Sequence, residues 1–190
     1  MSSLKADFNE LMERIRQGRE FGPASFEPIF YMVFPPSQIL NVKRETTAWV
    51  HRLANDGWEV VTFSIAEHIA DIVTKAPLRK IWLAADQKAP LAWGKTNSSL
   101  ANAVSNGALQ ERIEAQLQAL EGKPKSILLV TDLEALHPYT RIGVIEGKLL
   151  GEFHVPTVFL YPGIRTGKTR LKFLGFYPDD GNYRSVHVGG

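Results

Sequence analysis

The first apolar positions of the chain recur at helical spacing. They stand three or four residues apart with charged residues between them: Leu4, Phe8, Leu11, Met12 and Ile15. This spacing predicts an amphipathic helix. We expect the helix to cover residues 3–18 and to dock its apolar stripe on another surface.

Beyond this helix, short apolar runs alternate with helical patterns. The runs rich in aromatic and β-branched residues predict strands at 28–34, 58–65, 126–131, 155–161, 170–176 and 183–188. The helical patterns cover 42–55, 64–73, 100–120 and 140–150, with a break expected near 106–107. Ser64 and Glu67 have the spacing of a capping box at the start of a helix. Residues 127–130 are all apolar, as expected for a strand that is covered on both faces.

This alternation predicts a single α/β domain over residues 1–190. Its expected architecture has three layers, with helices on both faces of a largely parallel sheet and an antiparallel hairpin at the C-terminal end. Residues 178–182 are expected to form the hairpin turn. Residues 80–85 fit either a strand or the end of a helix. Residues 86–99 are rich in turn-forming residues and are interpreted as a loop or insertion.

The composition narrows the functional classes. Hydrophobic residues make up 44% of the chain and the formal net charge is +2, which is typical of a globular protein and not of a dedicated nucleic-acid binder. The absence of cysteine excludes disulfides, thiolate metal sites and cysteine nucleophiles. The N-terminal segment is too charged for a secretory signal, and no apolar run approaches the roughly 20 residues that cross a bilayer. We therefore expect a cytoplasmic protein with no membrane contact.

Residues 89–96 satisfy a relaxed form of the Walker A pattern. In such a loop, backbone N–H groups surround the phosphates, a lysine neutralises their charge and a threonine holds magnesium, while an acidic residue lies at a neighbouring strand tip. The candidate nucleotide-binding residues are Gly94, Lys95, Thr96 and Asp132. However, Pro90 has no N–H group to offer, and Trp93 places bulk where a phosphate needs close approach. The alternative interpretation is a surface turn that leads into a helix.

A cluster of cations lies near the C-terminal end of the chain. Its members are Arg165, Lys168, Arg170 and Lys172. No acidic residue separates them, so we expect a local positive surface. One interpretation is a solvated edge strand whose charges prevent association between sheets; the others are contact with an acidic partner and direct contact with DNA. Residues 163–169 are expected to form a hairpin connection, because a phosphate loop must lead into a helix.

The residue types predict neither a metal site nor a catalytic centre. The five histidines include no i,i+4 pair and no HExxH string, which are the usual signatures of a zinc site. No Gly-x-Ser-x-Gly elbow of a serine hydrolase is present. Asp179 and Asp180 are interpreted as turn residues that serve the backbone. We therefore expect no cofactor and no enzymatic activity.

The last third of the chain contains more distinctive strings. They are TD at 131–132, LHPYTR at 136–141, VPTVFLYPG at 155–163, GKTRLKF at 167–173 and DDGNYR at 179–184. Together they resemble the closing segment of the BrxB family, small proteins that are encoded in BREX bacteriophage-exclusion systems. The resemblance extends more weakly to residues 29–36 and to the helix after Val42, and it leaves out residues 78–105.

The resemblance implies a component of a multi-protein defence assembly that methylates host DNA and blocks phage replication. In such systems a methyltransferase, a large ATPase and the phosphatase-like protein PglZ act together, and the BrxB protein is expected to associate with PglZ. The family offers no catalytic residues to transfer to this chain. The leading hypothesis is a non-enzymatic adaptor, with ATP binding and DNA contact as the alternatives.

The strings that carry the resemblance also contain the candidate partner-binding residues. These are Arg141, Tyr161, Pro162, Gly163, Arg170, Tyr183 and Arg184. Pro162 and Gly163 are expected to end a strand sharply and to expose Tyr161 at the sheet edge, where parallel α/β domains usually place their sites. Arg141 is expected to reach the same edge and to pair with Asp132. Tyrosine and arginine are enriched at interface hot spots; the alternative is that these side chains only pack the hairpin against the sheet.

Overall fold

Strands that are buried on both faces form the centre of the molecule. The structure is a computed structural model that describes residues 3–17, 27–167, 169–181 and 185–190. The strands are β1 (Ile29–Phe34), β2 (Glu59–Ser64), β3 (Ser126–Thr131), β4 (Thr157–Arg165), β5 (Arg170–Phe173), β6 (Asp179–Gly181) and β7 (Val186–Gly189). The α-helices are α1 (Leu4–Gln17), α2 (Ile39–Asn55), α3 (Ile65–Lys75), α4 (Arg79–Lys88), α5 (Gly94–Ser105), α6 (Ala108–Leu120) and α7 (Ile142–Lys148). Short 3₁₀ turns cover Pro36–Gln38 and Leu133–Leu136.

The sheet is mostly parallel. Its parallel strands lie in the order β2-β3-β4-β1-β7, and the hairpin β5-β6 continues antiparallel from the end of β4. Every residue of β1 and of β3 is buried, which is the burial that helices on both faces impose. The α/β class, the largely parallel sheet and the C-terminal hairpin are therefore confirmed.

Two apolar layers cover the two faces of the sheet. Side chains alternate along a strand, so β1 directs Tyr31 into one layer and Met32 into the other. The Met32 layer is closed by α1 and α2, where Phe8 stacks on Trp49 with ring centroids 4.8 Å apart. The Tyr31 layer is closed by α3, α5, α6 and α7. In the described residues, no helix has the length and apolar character that crossing a membrane requires.

The C-terminal hairpin uses other residues than the sequence pattern suggests. Its second strand is β6, which lies inside the predicted turn 178–182, whereas β7 joins β1 in parallel at the edge of the sheet. Asp-Asp-Gly has low strand propensity, but Lys172 of β5 lies directly opposite Asp179, and opposite charges at facing positions stabilise a strand pair. Val188 of β7 is buried in the Met32 layer, which explains why this segment joins the central sheet.

The loop expected over residues 86–99 is wrong. Helix α4 runs to Lys88 and α5 begins at Gly94, so only a short link separates them, and residues 80–85 are helical. The indole N–H of Trp82 donates to Ser99 Oγ at 2.9 Å and fixes α4 against α5. This tertiary contact outweighs the turn propensities of the segment. The break predicted near 106–107 is confirmed, because Gly107 has φ 109° between α5 and α6.

Strand β4 continues through Pro162 and Gly163, so the sharp end expected there is wrong. The strand changes partners at this point: Pro162 lies opposite Phe34 of β1, whereas Gly163 lies opposite Phe173 of β5. Proline has no N–H for a ladder, but its carbonyl oxygen accepts a hydrogen bond from the N–H of Leu174 at 2.9 Å. The pairing therefore survives the proline.

Gly163→Ala should lower the free energy of unfolding by about 2 kcal/mol, the usual range for a side chain forced into packed surroundings. A Cβ at this position would lie 2.6 Å from the carbonyl oxygen of Lys172 and 2.5 Å from Cε1 of Tyr161. Gly147→Ala is the matched control, because a Cβ there meets no atom within 4 Å. Urea unfolding of both variants checks the prediction, and equal stabilities would contradict it.

Candidate functional site

A cleft opens beside the carboxyl-terminal ends of β1 and β4, the part of a parallel sheet where ligands usually bind. Its volume is about 240 Å³. The polar groups that line it are Tyr31, Arg141, Glu146, Tyr161 and Asp180. They come from β1, from the segment before α7, from α7 itself, from β4 and from β6. The parallel sheet and the C-terminal hairpin therefore build the cleft together.

Arg141 pairs with Asp180 across the cleft. Its Nη1 donates to Oδ1 and to Oδ2 of Asp180 at 2.9 Å each, and its guanidinium lies 5.9 Å from the ring centroid of Tyr177. The expected pair of Arg141 with Asp132 is wrong, because Arg141 pairs with Asp180 of the hairpin and Asp132 pairs with Lys43. Asp180 is likewise more than a turn residue, since it connects β6 to the segment before α7.

A buried tyrosine–carboxylate pair forms the floor of the cleft. The hydroxyl of Tyr31 donates to Glu146 Oε2, and both residues are buried. The sequence reasoning missed both of them. Glu146 did carry a signal, because it lies four residues after Ile142 and three before Leu149, both of which are buried. An acid within an apolar helix stripe needs a polar partner.

Tyr161 lies inside the core and not on an exposed edge. Its side chain is 3% exposed and packs against Tyr31 and Phe173. Burial raises the pKa of the Tyr161 phenol well above its ordinary value, the negative Asp180 raises it further, and Arg141 partly opposes this shift. Pro162 and Gly163 are buried too, so the expectation that this segment is exposed is wrong.

A second polar cluster joins the ends of β2 and β3. Asp132 accepts hydrogen bonds from Ser64 Oγ at 2.7 Å and from Thr131 Oγ1 at 2.8 Å. Lys43 Nζ lies 2.7 Å from Asp132 Oδ1 and 2.7 Å from Glu134 Oε1. Burial alone would raise the pKa of Asp132, but the hydrogen bonds from Lys43, Ser64 and Thr131 hold it below its ordinary value. Ser64 also caps α3 by accepting from the N–H of Glu67, which confirms the predicted cap.

The Walker-like string does not have the surroundings of a phosphate loop. It connects α4 to α5, whereas such a loop follows a strand. Lys95 is exposed and Thr96 is buried. Asp132 is already bound to Lys43, Ser64 and Thr131. The structure brings the candidate residues into no shared phosphate site.

The cations near the C-terminal end do not form one surface. Arg165 lies opposite Leu171, whereas Lys172 lies opposite Ile164. Directly opposite residues share a face and successive residues alternate, so Arg165 points to one face of the hairpin while Arg170 and Lys172 point to the other. The expectation of a single positive surface is therefore wrong for these three residues. Lys168 lies outside the described residues.

Two further candidates for partner binding, Tyr183 and Arg184, also lie outside the described residues. Arg170 is exposed at the start of β5. Pro162 and Gly163 lie where β4 changes its partner strand from β1 to β5. Both are buried, so they offer no surface to a binding partner. Within the described parts of the chain, no group of three His, Asp or Glu side chains is arranged to hold a metal ion.

Comparison with known proteins finds one family. The family model described as BREX protein BrxB matches residues 61–188, about two thirds of the chain. The match begins within β2, includes Arg141, Tyr161 and Asp180, and extends over residues 78–105, which the sequence resemblance leaves out. No curated protein matches the chain, and no solved structure does.

Proposed function

This chain belongs to the BrxB family and is a component of the BREX phage-defence system, and from that premise we propose that it is a non-enzymatic adaptor that associates with PglZ in the cytoplasm. The ATPase and the methyltransferase of the system are further partners in this proposal. The observation that carries it is a group of exposed apolar side chains around the turn between β5 and β6, next to the Arg141–Asp180 pair of the cleft.

The pairing of the cleft residues supports a role without catalysis. Arg141 binds Asp180, and Tyr31 donates to Glu146. Burial raises the pKa of the Tyr161 phenol, so the phenolate nucleophile is even less accessible here than in an exposed tyrosine. The Arg141–Asp180 pair connects the hairpin to the segment before α7, a structural role that requires no substrate.

The turn between β5 and β6 offers a surface for a protein partner. Phe176 is 61% exposed and stacks on Tyr177, whose hydroxyl lies 2.6 Å from His137 Nδ1. Ile164 is half exposed and lies close to Gly175, the residue before Phe176. We call His137, Ile164, Phe176 and Tyr177 the aromatic rim. Exposed aromatic side chains beside arginine are the usual hot spots of protein interfaces.

Phe176→Ala should reduce the recovery of PglZ in co-purification about tenfold, the loss typical of truncating one hot-spot side chain. Arg170→Ala should reduce it less, because a charge at the rim of an interface contributes little affinity. The matched controls are Leu40→Ala and Arg44→Ala, which remove an exposed apolar and an exposed cationic side chain from α2.

Both controls should leave recovery unchanged, and all four variants should keep the melting temperature of the parent chain. Undiminished recovery with Phe176→Ala would contradict the placing of the partner at the aromatic rim. If the parent chain recovers no PglZ at all, the proposed association itself is wrong.

A further inference from the structure

A second exposed apolar surface lies on α4 and on the link to α5, neither of which lines the cleft. Its members are Leu78 and Ile81 on one side of α4 and Leu91 and Trp93 on the link, whereas the exposed Leu83 points to the other side of the helix. Ile81 is 63%, Trp93 60% and Leu91 91% exposed. Scattered apolar residues are normal on a protein surface, whereas exposed apolar residues that lie together are typical of interaction sites. We call this set the α4 surface.

Helix α4 is short and has little packing of its own in this chain. It has ten residues, and Trp82 is the buried one among them. Helices this short are marginal in water unless packing supports them. Here the support comes from the Trp82–Ser99 hydrogen bond, and Leu78, Ile81 and Ala85 form an exposed stripe at helical spacing beside Trp82. The anchor therefore holds α4 so that its apolar residues face outward.

The charges around the α4 surface have one dominant sign. Residues 76–99 contain the cations Arg79, Lys80, Lys88 and Lys95 and the single acid Asp86, a net charge of 4 − 1 = +3. The whole chain has a net charge of +2, so all other residues together carry −1. The four cations are exposed, and none of them forms an ion pair within the described residues. Such a surface selects for a negative, partly apolar partner.

We propose that the α4 surface binds an acidic amphipathic helix of another protein. An apolar stripe on that helix would cover Leu78, Ile81 and Trp93, and acidic residues beside the stripe would face Lys80 and Lys88, as helix-in-groove recognition requires. A second copy of this chain docked through the same surface would bring four cations against four cations. This proposal depends on the proposed function in one respect: it takes the chain to be an adaptor.

Photo-crosslinking in cells that contain the complete BREX system tests the proposal. The photoreactive residue p-benzoylphenylalanine replaces Ile81 in the full chain, and mass spectrometry identifies the crosslinked peptide. We expect a segment of another protein with net negative charge and apolar residues at helical spacing. The same replacement at Thr47, which is exposed on α2, is the control and should not yield this segment.

Charge reversal completes the test. Lys80→Glu with Lys88→Glu should lower the crosslink yield at least tenfold, whereas Lys5→Glu with Arg44→Glu, an equal change of charge on α1 and α2, should leave it unchanged. Crosslinks to lipid, to nucleic acid, to a second copy or to a basic segment would overturn the proposal, and so would a missing crosslink. If PglZ is recovered but position 81 yields no crosslink, this inference is wrong and the proposed function stands. If position 81 yields the acidic segment but PglZ is not recovered, only the PglZ association is wrong.

Discussion

Lowering the pH from 7 to 4 should reduce the free energy of unfolding by about 3 kcal/mol through His187 alone. The side chain is 9% exposed on β7, its Nε2 lies 2.9 Å from Ser185 Oγ, and no described residue bonds its Nδ1. Burial lowers the pKa of His187 from 6.5 to about 4, and the positive Arg165 adds to the shift. His187 therefore binds a proton below pH 6.5 in the unfolded chain but only below about pH 4 in the folded chain. The free energy of unfolding falls as the pH drops from 6.5 to 4.

Urea unfolding at a series of pH values between 7.5 and 4 measures this effect. His187→Gln cannot titrate, so its stability should fall by about 3 kcal/mol less than that of the parent chain over this range. The carboxylates titrate in both proteins and cancel in the difference. His51→Gln, at an exposed position on α2, is the matched substitution control. Equal pH dependence in the parent and His187→Gln proteins would mean that folding does not lower the pKa of His187, and would contradict the prediction.

The frame of the molecule follows from local patterns. The apolar run 126–131 predicts β3 to the residue, and the spacing of Leu4 to Ile15 predicts α1 closely. These predictions are confirmed because buried residues recur at a fixed period, every two residues in a strand and every 3.6 residues in a helix. The sequence does not predict β6, because Asp-Asp-Gly has no strand pattern of its own. Its extended conformation depends on pairing with β5. The helix α4 was obscured because its single anchor, Trp82, bonds to Ser99 in another element.

The cleft could not be predicted to the same degree. Tyr31 and Glu146 are 115 residues apart in the sequence, and Arg141 and Asp180 are 39 residues apart. A periodic pattern shows which face of an element is buried, but not which element lies against that face. The sequence therefore identified Arg141 and Tyr161 as candidates and assigned wrong surroundings to both. The acid at position 146 was the available signal, because it interrupts the apolar stripe of α7.

Asp132→Ala should lower the free energy of unfolding by about 3 kcal/mol at pH 7. The change removes the acceptor of Ser64, Thr131 and Lys43 at the ends of β2 and β3, and hydrogen bonds to a half-buried carboxylate contribute about 1 kcal/mol or more each. Asp132 also has φ 60°, a left-handed conformation that costs alanine about 1 kcal/mol. The exposed Lys43 contributes the smallest share, because ion pairs near the surface are worth 1 kcal/mol or less.

Two variants separate these causes. Asp132→Asn keeps an oxygen acceptor for Ser64 and tolerates the left-handed conformation, so we expect about half of the loss seen with alanine. Glu134→Ala removes the other carboxylate from Lys43 and should cost less than about 1 kcal/mol. Urea unfolding at pH 7 is the right measurement, because the lowered pKa of Asp132 keeps its full contribution present above pH 3.8 and loses it only below that value. If Asp132→Ala costs no more than Glu134→Ala, the hydrogen bonds from Ser64 and Thr131 do not hold this edge of the sheet, and Asp132 is only half of a surface ion pair.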